Sequence, residues 1–174
     1  AWDACQTDID WASYDGRLAV GALDIGATSD FTAFVLAFPH DDGTSVTVKQ
    51  RKDDPDSDEM TITRSSYTLR PYFWLPERPV RRDQRMAAQI DTWARQGLIR
   101  RTGGDVVDYD QVVADIVEIC SGYSVPKIAV DTGFQGHHST QDLQKHFGDE
   151  AIVAFRQGII SMAAPFREMC EMIL

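Results

Sequence analysis

The feature that most constrains the fold of this chain is a pair of apolar segments separated by a turn of small residues. Residues 18–23 are mostly apolar and lead directly to Asp24, residues 26–30 are small or polar, and residues 31–38 are apolar again. Two apolar runs joined by such a turn are typical of a β-hairpin. The hairpin would carry the Asp24 carboxylate to the end of a strand, beside a turn where glycine permits close approach of a ligand.

A second strand of the same design occurs about a hundred residues later. Residues 127–131 read Lys-Ile-Ala-Val-Asp, so a short apolar run again ends in a carboxylate, Asp131. Two carboxylates held at strand ends by a rigid sheet suit a hard divalent cation such as Mg²⁺. The pattern predicts a metal site for phosphate chemistry with Asp24 and Asp131 as ligands. The structural alternative is that Asp24 starts a turn and Asp131 caps one.

The turn between the two hairpin strands offers further candidate residues. Asp30 could orient the turn or support the metal ligands through hydrogen bonds to backbone amides, and it could equally be structural. Thr28 and Ser29 could donate to a phosphate oxygen or simply close the turn. These alternatives remain open from the sequence.

Charge and cysteine content narrow the functional class. The net charge is −10, so a polyanion would have to meet a local basic patch or a metal site. Four arginines on roughly one side of a helical segment suit contact with a nucleic-acid backbone, although a solvated helix face has the same pattern: Arg78, Arg81, Arg82 and Arg85. Three cysteines without CxxC spacing predict reduced thiols. No apolar run approaches 18 residues and no leader pattern opens the chain, so we expect neither a membrane span nor a signal peptide.

Two common motifs, one of serine hydrolases and one of P-loop nucleotide-binding proteins, are absent from the sequence. There is no Gly-x-Ser-x-Gly elbow and no Walker loop. The acidic residues between 52 and 59 lack the ligand spacing of an EF-hand, and a solvated loop is the simpler interpretation.

The order of the predicted elements indicates an α/β sheet flanked by helices. Residues 1–16 are polar and predict a connector, and residues 17–174 predict one domain. We expect early antiparallel strands followed by alternating helices and parallel strands. The predicted strands cover residues 18–24, 31–38, 45–51, 60–75, 105–107, 127–131 and 151–155; the predicted helices cover residues 81–96, 109–120, 139–147 (capped by Ser139) and 163–174.

Several segments in this order resemble the C-terminal nuclease domain of a tailed-phage or prophage terminase large subunit. The resemblance runs from about residue 16 to residue 170. It is carried by residues 23–33 (LDIGATSDFTA), 71–77 (PYFWLPE), 93–99 (WARQGLI), 102–109 (TGGDVVDY), 128–131 (IAVD) and 157–158 (QG).

This resemblance implies an RNase H-like fold and two-metal hydrolysis of double-stranded DNA with Mg²⁺ or Mn²⁺, which cuts concatemeric genomes during packaging. It implies that Asp24 bridges the cations and that Asp131 is the second acid. A third acid near the C-terminus of the family domain has no match here, and Glu168 and Glu171 are doubtful substitutes. We therefore expect a fragment truncated at its C-terminus, with an incomplete site.

The implied partners are an upstream packaging ATPase domain, the small terminase subunit and the portal. The implied location is the cytoplasm of a bacterial host, and no membrane partner is expected. Two alternatives stay open. The Asp-Ile-Gly-Ala-Thr segment is also similar to the first phosphate loop of actin-like ATPases and sugar kinases, and the domain could be a non-catalytic docking remnant.

Overall fold

The structure is a computed structural model that describes residues 5, 7–26, 30–40, 45–49, 59–63, 66–78, 86–131 and 136–173. Side chains are described for these residues except 45–49, 59–63, 136–138 and 173. Within this part the elements are β1 (Leu18–Asp24), β2 (Thr32–His40), β3 (Ser45–Lys49), β4 (Glu59–Thr63), β5 (Ser66–Pro76), α1 (Ala87–Arg95), β6 (Arg100–Thr102), α2 (Tyr109–Ser121), β7 (Ser124–Asp131), α3 (Gly136–Phe147), β8 (Ile152–Phe155) and α4 (Ile159–Ile173).

Six of these strands form one mixed sheet in the order β6-β5-β2-β1-β7-β8. Strand β2 is antiparallel to both of its neighbours, β1 and β5. The other pairs are parallel: β7 with β1, β8 with β7 and β6 with β5. The predicted class, three antiparallel strands followed by parallel strands with flanking helices, is therefore confirmed. The third antiparallel strand is β5, because β3 pairs with β4 in a separate two-stranded sheet.

The core lies between one face of the large sheet and the helices α2 and α3. Alternate residues of each strand point to this face, as the period of two requires, and the apolar stripe of α2 covers them. The largest members are fully buried: Phe34, Phe38, Trp74, Ile116, Ile128 and Leu143. Burial of these side chains is the main stabilising term of the domain.

The opposite face of the sheet is covered only in part by the described residues. Helix α1 packs there through Ile90 against Leu75 and Ile99. Toward the middle of the sheet, Leu18 and Val20 of β1 remain 51% and 44% exposed. We call the β1–β7–β8 part of this surface the open face.

The structure corrects four local predictions. The predicted strand 60–75 is divided into β4 and β5, which lie in different sheets. The parallel strand β6 is Arg100–Thr102 and not residues 105–107, because Gly104 adopts φ 89° and residues 103–106 form bends. Helix α3 begins at Gly136, so Ser139 lies inside the helix and does not cap it. Helix α4 begins at Ile159 and contains Pro165 in its interior. By contrast, α2 begins at Tyr109 as predicted, and Asp108 caps it by accepting from the Gln111 amide at 3.1 Å.

The end of the predicted connector contacts the core. A short 3₁₀ turn, Trp11–Tyr14, brings the Tyr14 ring to 4.9 Å from the Phe38 ring in an edge-on contact. The division at residue 17 stays a prediction. Across the described residues, no helix is both long and apolar enough to span a bilayer.

Candidate metal site at the ends of two parallel strands

The two predicted ligands end adjacent strands of the large sheet. Strands β1 and β7 run parallel with Leu23 opposite Val130, and Asp24 and Asp131 are the next residue on each strand. Neighbouring strands are about 4.8 Å apart, so the two backbones deliver their carboxylates to the same short stretch of the sheet edge. Residues 107 positions apart in the chain thus come together, as the sequence predicts.

Both carboxylates also belong to the same face of the sheet. Leu23 and Val130 are buried against α2 and α3. Because successive side chains alternate between faces, Asp24 and Asp131 project to the opposite, open face. The Asp24 side chain is exposed and that of Asp131 is half-buried. A ligand approaching from solvent can therefore reach this pair.

The electrostatics of Asp24 show that the pair interacts. Partial burial raises the pKa of Asp24 above its ordinary value, and the charge of Asp131 raises it further. A hydrogen bond from the side chain of Gln157 acts in the opposite direction and favours the carboxylate. Two anions held close together in this way form an acceptor-rich site that a divalent cation would stabilise.

The turn that follows Asp24 is fixed by contacts with two other elements. The Gly26 amide donates to Thr32 Oγ1 at 3.2 Å, and the Gly26 carbonyl accepts from the Tyr109 hydroxyl at 2.8 Å. A Cβ atom at position 26 would lie 2.3 Å from the Phe31 carbonyl oxygen, so only glycine fits. The hairpin turn and the first turn of α2 are thereby joined, which orients the end of β1.

A second polar cluster lies beneath the sheet, on the α2 side. The fully buried Trp74 donates from Nε1 to Asp115 Oδ2 at 2.7 Å, and Arg100 Nη1 lies 3.1 Å from the same oxygen. The indole N–H is therefore satisfied, as a buried tryptophan requires. This cluster ties α2 to β5 and β6 and lies on the face opposite Asp24.

An apolar cleft of about 790 Å³ opens beside β5. Phe73 in its wall pairs with Ala33, which in turn pairs with Asp24, so this wall shares a face with the acidic pair two strands away. The cleft is lined by Trp11, Phe31, Arg70, Pro71, Tyr72, Phe73, Trp93, Gly97, Leu98, Ile99 and Arg100. The described residues of this lining include no carboxylate, which distinguishes the described part of the cleft from the acidic pair.

The remaining predicted site residues are placed as follows. Asp30 is exposed at the start of β2, and Thr28 lies outside the described residues. Arg78 is exposed and forms an ion pair of 3.5 Å with Asp105, whereas Arg81, Arg82 and Arg85 lie outside the described part. Among the described residues, no group of three or more Asp, Glu, His or Cys side chains converges on one point.

Gln157 is the site residue that the sequence argument missed. It appeared there only within a matching segment, without a role. A signal was present, since Gln157 lies two residues after the apolar strand 152–155, and Asp24 and Asp131 are the last residues of their strands. Polar residues at the carboxyl ends of parallel strands meet at one edge of the sheet, so all three such positions were candidates.

The fold and this site define a mixed α/β domain with an acidic pair at the carboxyl ends of neighbouring parallel strands. Sequence comparison finds the large terminase subunit of Enterobacteria phage HK97, 34% identical over 110 residues, which is 63% of this chain and 18% of that protein. The crystal structure of the HK97 bacteriophage large terminase superposes with a TM-score of 0.61 at 27% identity, covering 92% of this chain and 29% of that chain.

The chain is thus related in sequence and fold to part of a phage terminase large subunit, and the resemblance predicted from the sequence is confirmed. It spans less than a third of the length of these relatives. No family model matches the chain.

Proposed function

We propose that this chain is the nuclease part of a phage terminase large subunit, with an RNase H-like fold, and that it hydrolyses double-stranded DNA with the help of Mg²⁺ or Mn²⁺. The observation that carries the proposal is the placement of Asp24 and Asp131 on one face at the ends of adjacent parallel strands. The relationship to a terminase large subunit supports the substrate class.

The donor set fits a hard divalent cation. The two carboxylates offer oxygen ligands, and the pKa of Asp24 is raised by partial burial and by the negative charge of Asp131. Magnesium is commonly held by one or two carboxylates, with water and substrate phosphates completing its shell. Asp24 and Asp131 would therefore hold the cation, which when bound supplies Lewis-acid stabilisation to a phosphodiester oxygen. Two carboxylates suit one ion better than two, because the second ion requires further ligands.

The protein's own residues position the two carboxylates and leave them accessible to a substrate. The hydrogen bonds of Gly26 to Thr32 and Tyr109 fix the strand end that carries Asp24, which keeps the carboxylate pair preorganised. The Asp24 side chain is exposed on the open face, so a substrate can approach it from solvent. Because the chain carries a net charge of −10, attraction of DNA has to come from local cations.

Arg78 is the described candidate for such a contact, together with Arg81, Arg82 and Arg85 from the same segment. The ion pair of Arg78 with Asp105 has both side chains largely exposed. Exposed pairs of this kind contribute at most about 1 kcal/mol, so Arg78 can exchange its partner for a phosphate. The proposed partners of the complete protein are the packaging ATPase domain, the small terminase subunit and the portal, in the cytoplasm of the bacterial host.

The test is nicking of supercoiled plasmid in Mn²⁺ by the wild type and by Asp24→Asn, Asp131→Asn and the exposed control Asp8→Asn. The proposal expects cleavage that EDTA abolishes and that both site variants lose, while the control retains it. Tight ATP binding without nicking would instead favour the actin-like or sugar-kinase alternative. A folded chain with neither activity would favour a docking remnant.

A further inference from the structure

Strand β5 has a long edge beside the apolar cleft. On one side, residues 66–74 of β5 pair with β2. On the other side, β6 pairs with residues 74–76, and no strand in the described part of the chain pairs with residues 66–73. We call this stretch, on its side away from β2, the β5 edge. Unpaired strand backbone of this kind is a template for a further strand.

The backbone hydrogen bonds indicate which residues face the β5 edge. The Glu77 amide donates to the Thr102 carbonyl at 2.9 Å, on the side of β6. Because backbone groups alternate in direction along a strand, Leu69 and Pro71 face the same side as Glu77. A proline is tolerated there, since an edge position needs no ladder bond from its nitrogen. The β5 edge therefore offers the amide and carbonyl of Leu69 and the carbonyl of Pro71.

The apolar cleft passes around the β5 edge from one face of the sheet to the other. Side chains alternate between faces along a strand, so Arg70 and Tyr72 lie on the α2 side and Phe73 lies on the open side. All three line the same cleft of about 790 Å³. A strand added at the β5 edge would occupy this position and would direct alternate side chains to the two faces.

On the α2 side, the cleft presents the guanidinium group of Arg70. Its central carbon lies 4.4 Å from the centre of the Trp11 ring and 5.6 Å from that of Tyr72, and Nη1 donates to the Tyr123 hydroxyl. Arg70 forms no ion pair with any described residue. A guanidinium group has five N–H donors in a fixed fork that matches a carboxylate. This side of the cleft is therefore suited to an acidic side chain.

On the other side, the cleft is apolar. The rings of Phe31 and Phe73 meet edge-on with their centres 6.3 Å apart, and Trp93 lines the cleft beside them. Leu98 is 58% exposed in the same wall. An aliphatic or aromatic side chain placed here would remove this surface from water, which is favourable.

We propose that the apolar cleft binds an extended peptide segment of a partner protein, which adds to the β5 edge as a further strand. Its acidic side chains face Arg70, and its apolar side chains, at alternate positions, face Phe73 and Leu98. In this mode of recognition, main-chain hydrogen bonds supply affinity and the pockets for alternate side chains supply specificity. The proposal does not depend on the metal site or on nuclease activity.

A nucleic-acid strand suits the cleft less well than an acidic peptide. Such a strand carries a phosphate at every nucleotide and is bound through many cationic contacts. The described lining contains two arginines, and Arg100 already pairs with Asp115 at 3.1 Å. One available guanidinium group within an aromatic and aliphatic lining matches a carboxylate flanked by apolar side chains.

The test is fluorescence anisotropy in EDTA with a labelled synthetic peptide that alternates aspartate and leucine. Two control peptides alternate lysine with leucine and aspartate with serine. We expect saturable binding of the aspartate–leucine peptide and at least about tenfold weaker binding of both controls, because each control lacks one of the two complementary faces. Absence of saturable binding, or equal binding of the lysine–leucine peptide, would overturn the proposal.

Two variants locate the binding in the cleft. Leu98→Asp places a carboxylate in the exposed apolar wall, and Arg70→Gln removes the cation. The matched controls are Val106→Asp, which is 47% exposed in another bend, and Arg167→Gln, which is exposed on α4. We expect about a tenfold loss of affinity in both cleft variants and none in the controls. Wild-type affinity in Leu98→Asp, whose exposed position spares the fold, would overturn the proposal even where Arg70→Gln fails to fold.

Backbone methylation tests whether the peptide is bound as a strand. In an added strand, either all leucine amides or all aspartate amides point toward β5, so N-methylation of one set should abolish binding and methylation of the other should preserve it. Equal affinity of the two methylated peptides would overturn strand addition. Tighter binding of oligothymidylate than of the peptide would identify a nucleic-acid site instead. A dimer of the chain that Leu98→Asp dissociates would make a second copy the occupant, and either result would overturn the proposal.

Discussion

The Tyr109 hydroxyl donates a 2.8 Å hydrogen bond to the carbonyl of Gly26, which joins the first turn of α2 to the turn two residues after Asp24. Partial burial raises the pKa of Tyr109, so the hydroxyl remains a donor well into the alkaline range. A helix on one side of the sheet thereby fixes a turn that borders the acidic pair on the other.

Removing this hydroxyl should lower the stability of the fold. Tyr109→Phe leaves the Gly26 carbonyl without this donor, and we expect a loss of about 1 kcal/mol in the free energy of unfolding. Urea denaturation measures this loss, with Tyr67→Phe as the matched control on an exposed strand position. Equal stability of the two variants would show that the Tyr109 bond contributes nothing.

The glycine at position 26 should tolerate no side chain. In Gly26→Ala, the new methyl group would meet the Phe31 carbonyl oxygen at 2.3 Å, so the backbone of the turn must shift. We expect a loss of about 2 kcal/mol in unfolding free energy, in the range of other overpacked sites. Gly122→Ala is the control, because nothing lies within 4 Å of its Cβ position. A tolerated Gly26→Ala would contradict the described turn.

Cys120 should be chemically inert in the folded chain. Burial raises the pKa of its thiol from about 9.0 to about 12, so the reactive thiolate is scarce at pH 8. Iodoacetamide followed by mass spectrometry should modify the exposed Cys5 first and Cys120 only after denaturation. Native-state labelling of both residues at similar rates would contradict this burial.

The same shift has a consequence for stability at high pH. Below about pH 9 the thiol is protonated in both states and contributes no pH dependence. Between about pH 9 and about pH 12 only the unfolded thiol ionises, so the folded state loses stability as the pH rises. The free energy of unfolding of the wild type, measured by denaturant titration, should therefore fall relative to that of Cys120→Ala over this pH range. If the two unfolding free energies change with pH in parallel, the raised pKa of Cys120 is refuted.

The acidic pair should weaken the metal-free fold. Partial burial, together with the negative charge of Asp131, disfavours the ionised form of Asp24. Asp24→Asn should therefore raise the melting temperature in EDTA, and Asp8→Asn should leave it unchanged. Mn²⁺ at ten times its dissociation constant should stabilise the wild type by about 1.4 kcal/mol and Asp24→Asn hardly at all. A lower melting temperature for Asp24→Asn in EDTA would contradict the repulsion.

The sequence predicts the elements that have strong local patterns. The hairpin, helix α2 and the strand ending at Asp131 all combine a pattern of apolar residues with clear end signals. Their alternation also predicts that strands parallel to each other bring Asp24 and Asp131 to one edge of the sheet.

Features that depend on tertiary contacts are not encoded locally. The shift of β6 to Arg100–Thr102 depends on pairing with Trp74 and its neighbours, which outweighs the apolar residues at 106 and 107. The roles of Tyr109 and Gln157 likewise require knowledge of which turns meet across the sheet. A sequence pattern within one segment carries no information on contacts between segments that are distant in the chain.

The most direct test of the central claim is Mn²⁺ binding by the purified chain, followed through the loss of the free-ion resonance signal. The account predicts saturable binding by the wild type and by Asp8→Asn, with at least about a tenfold loss in both Asp24→Asn and Asp131→Asn. Equal Mn²⁺ affinity in all four proteins would mean that residues 24 and 131 do not share a cation.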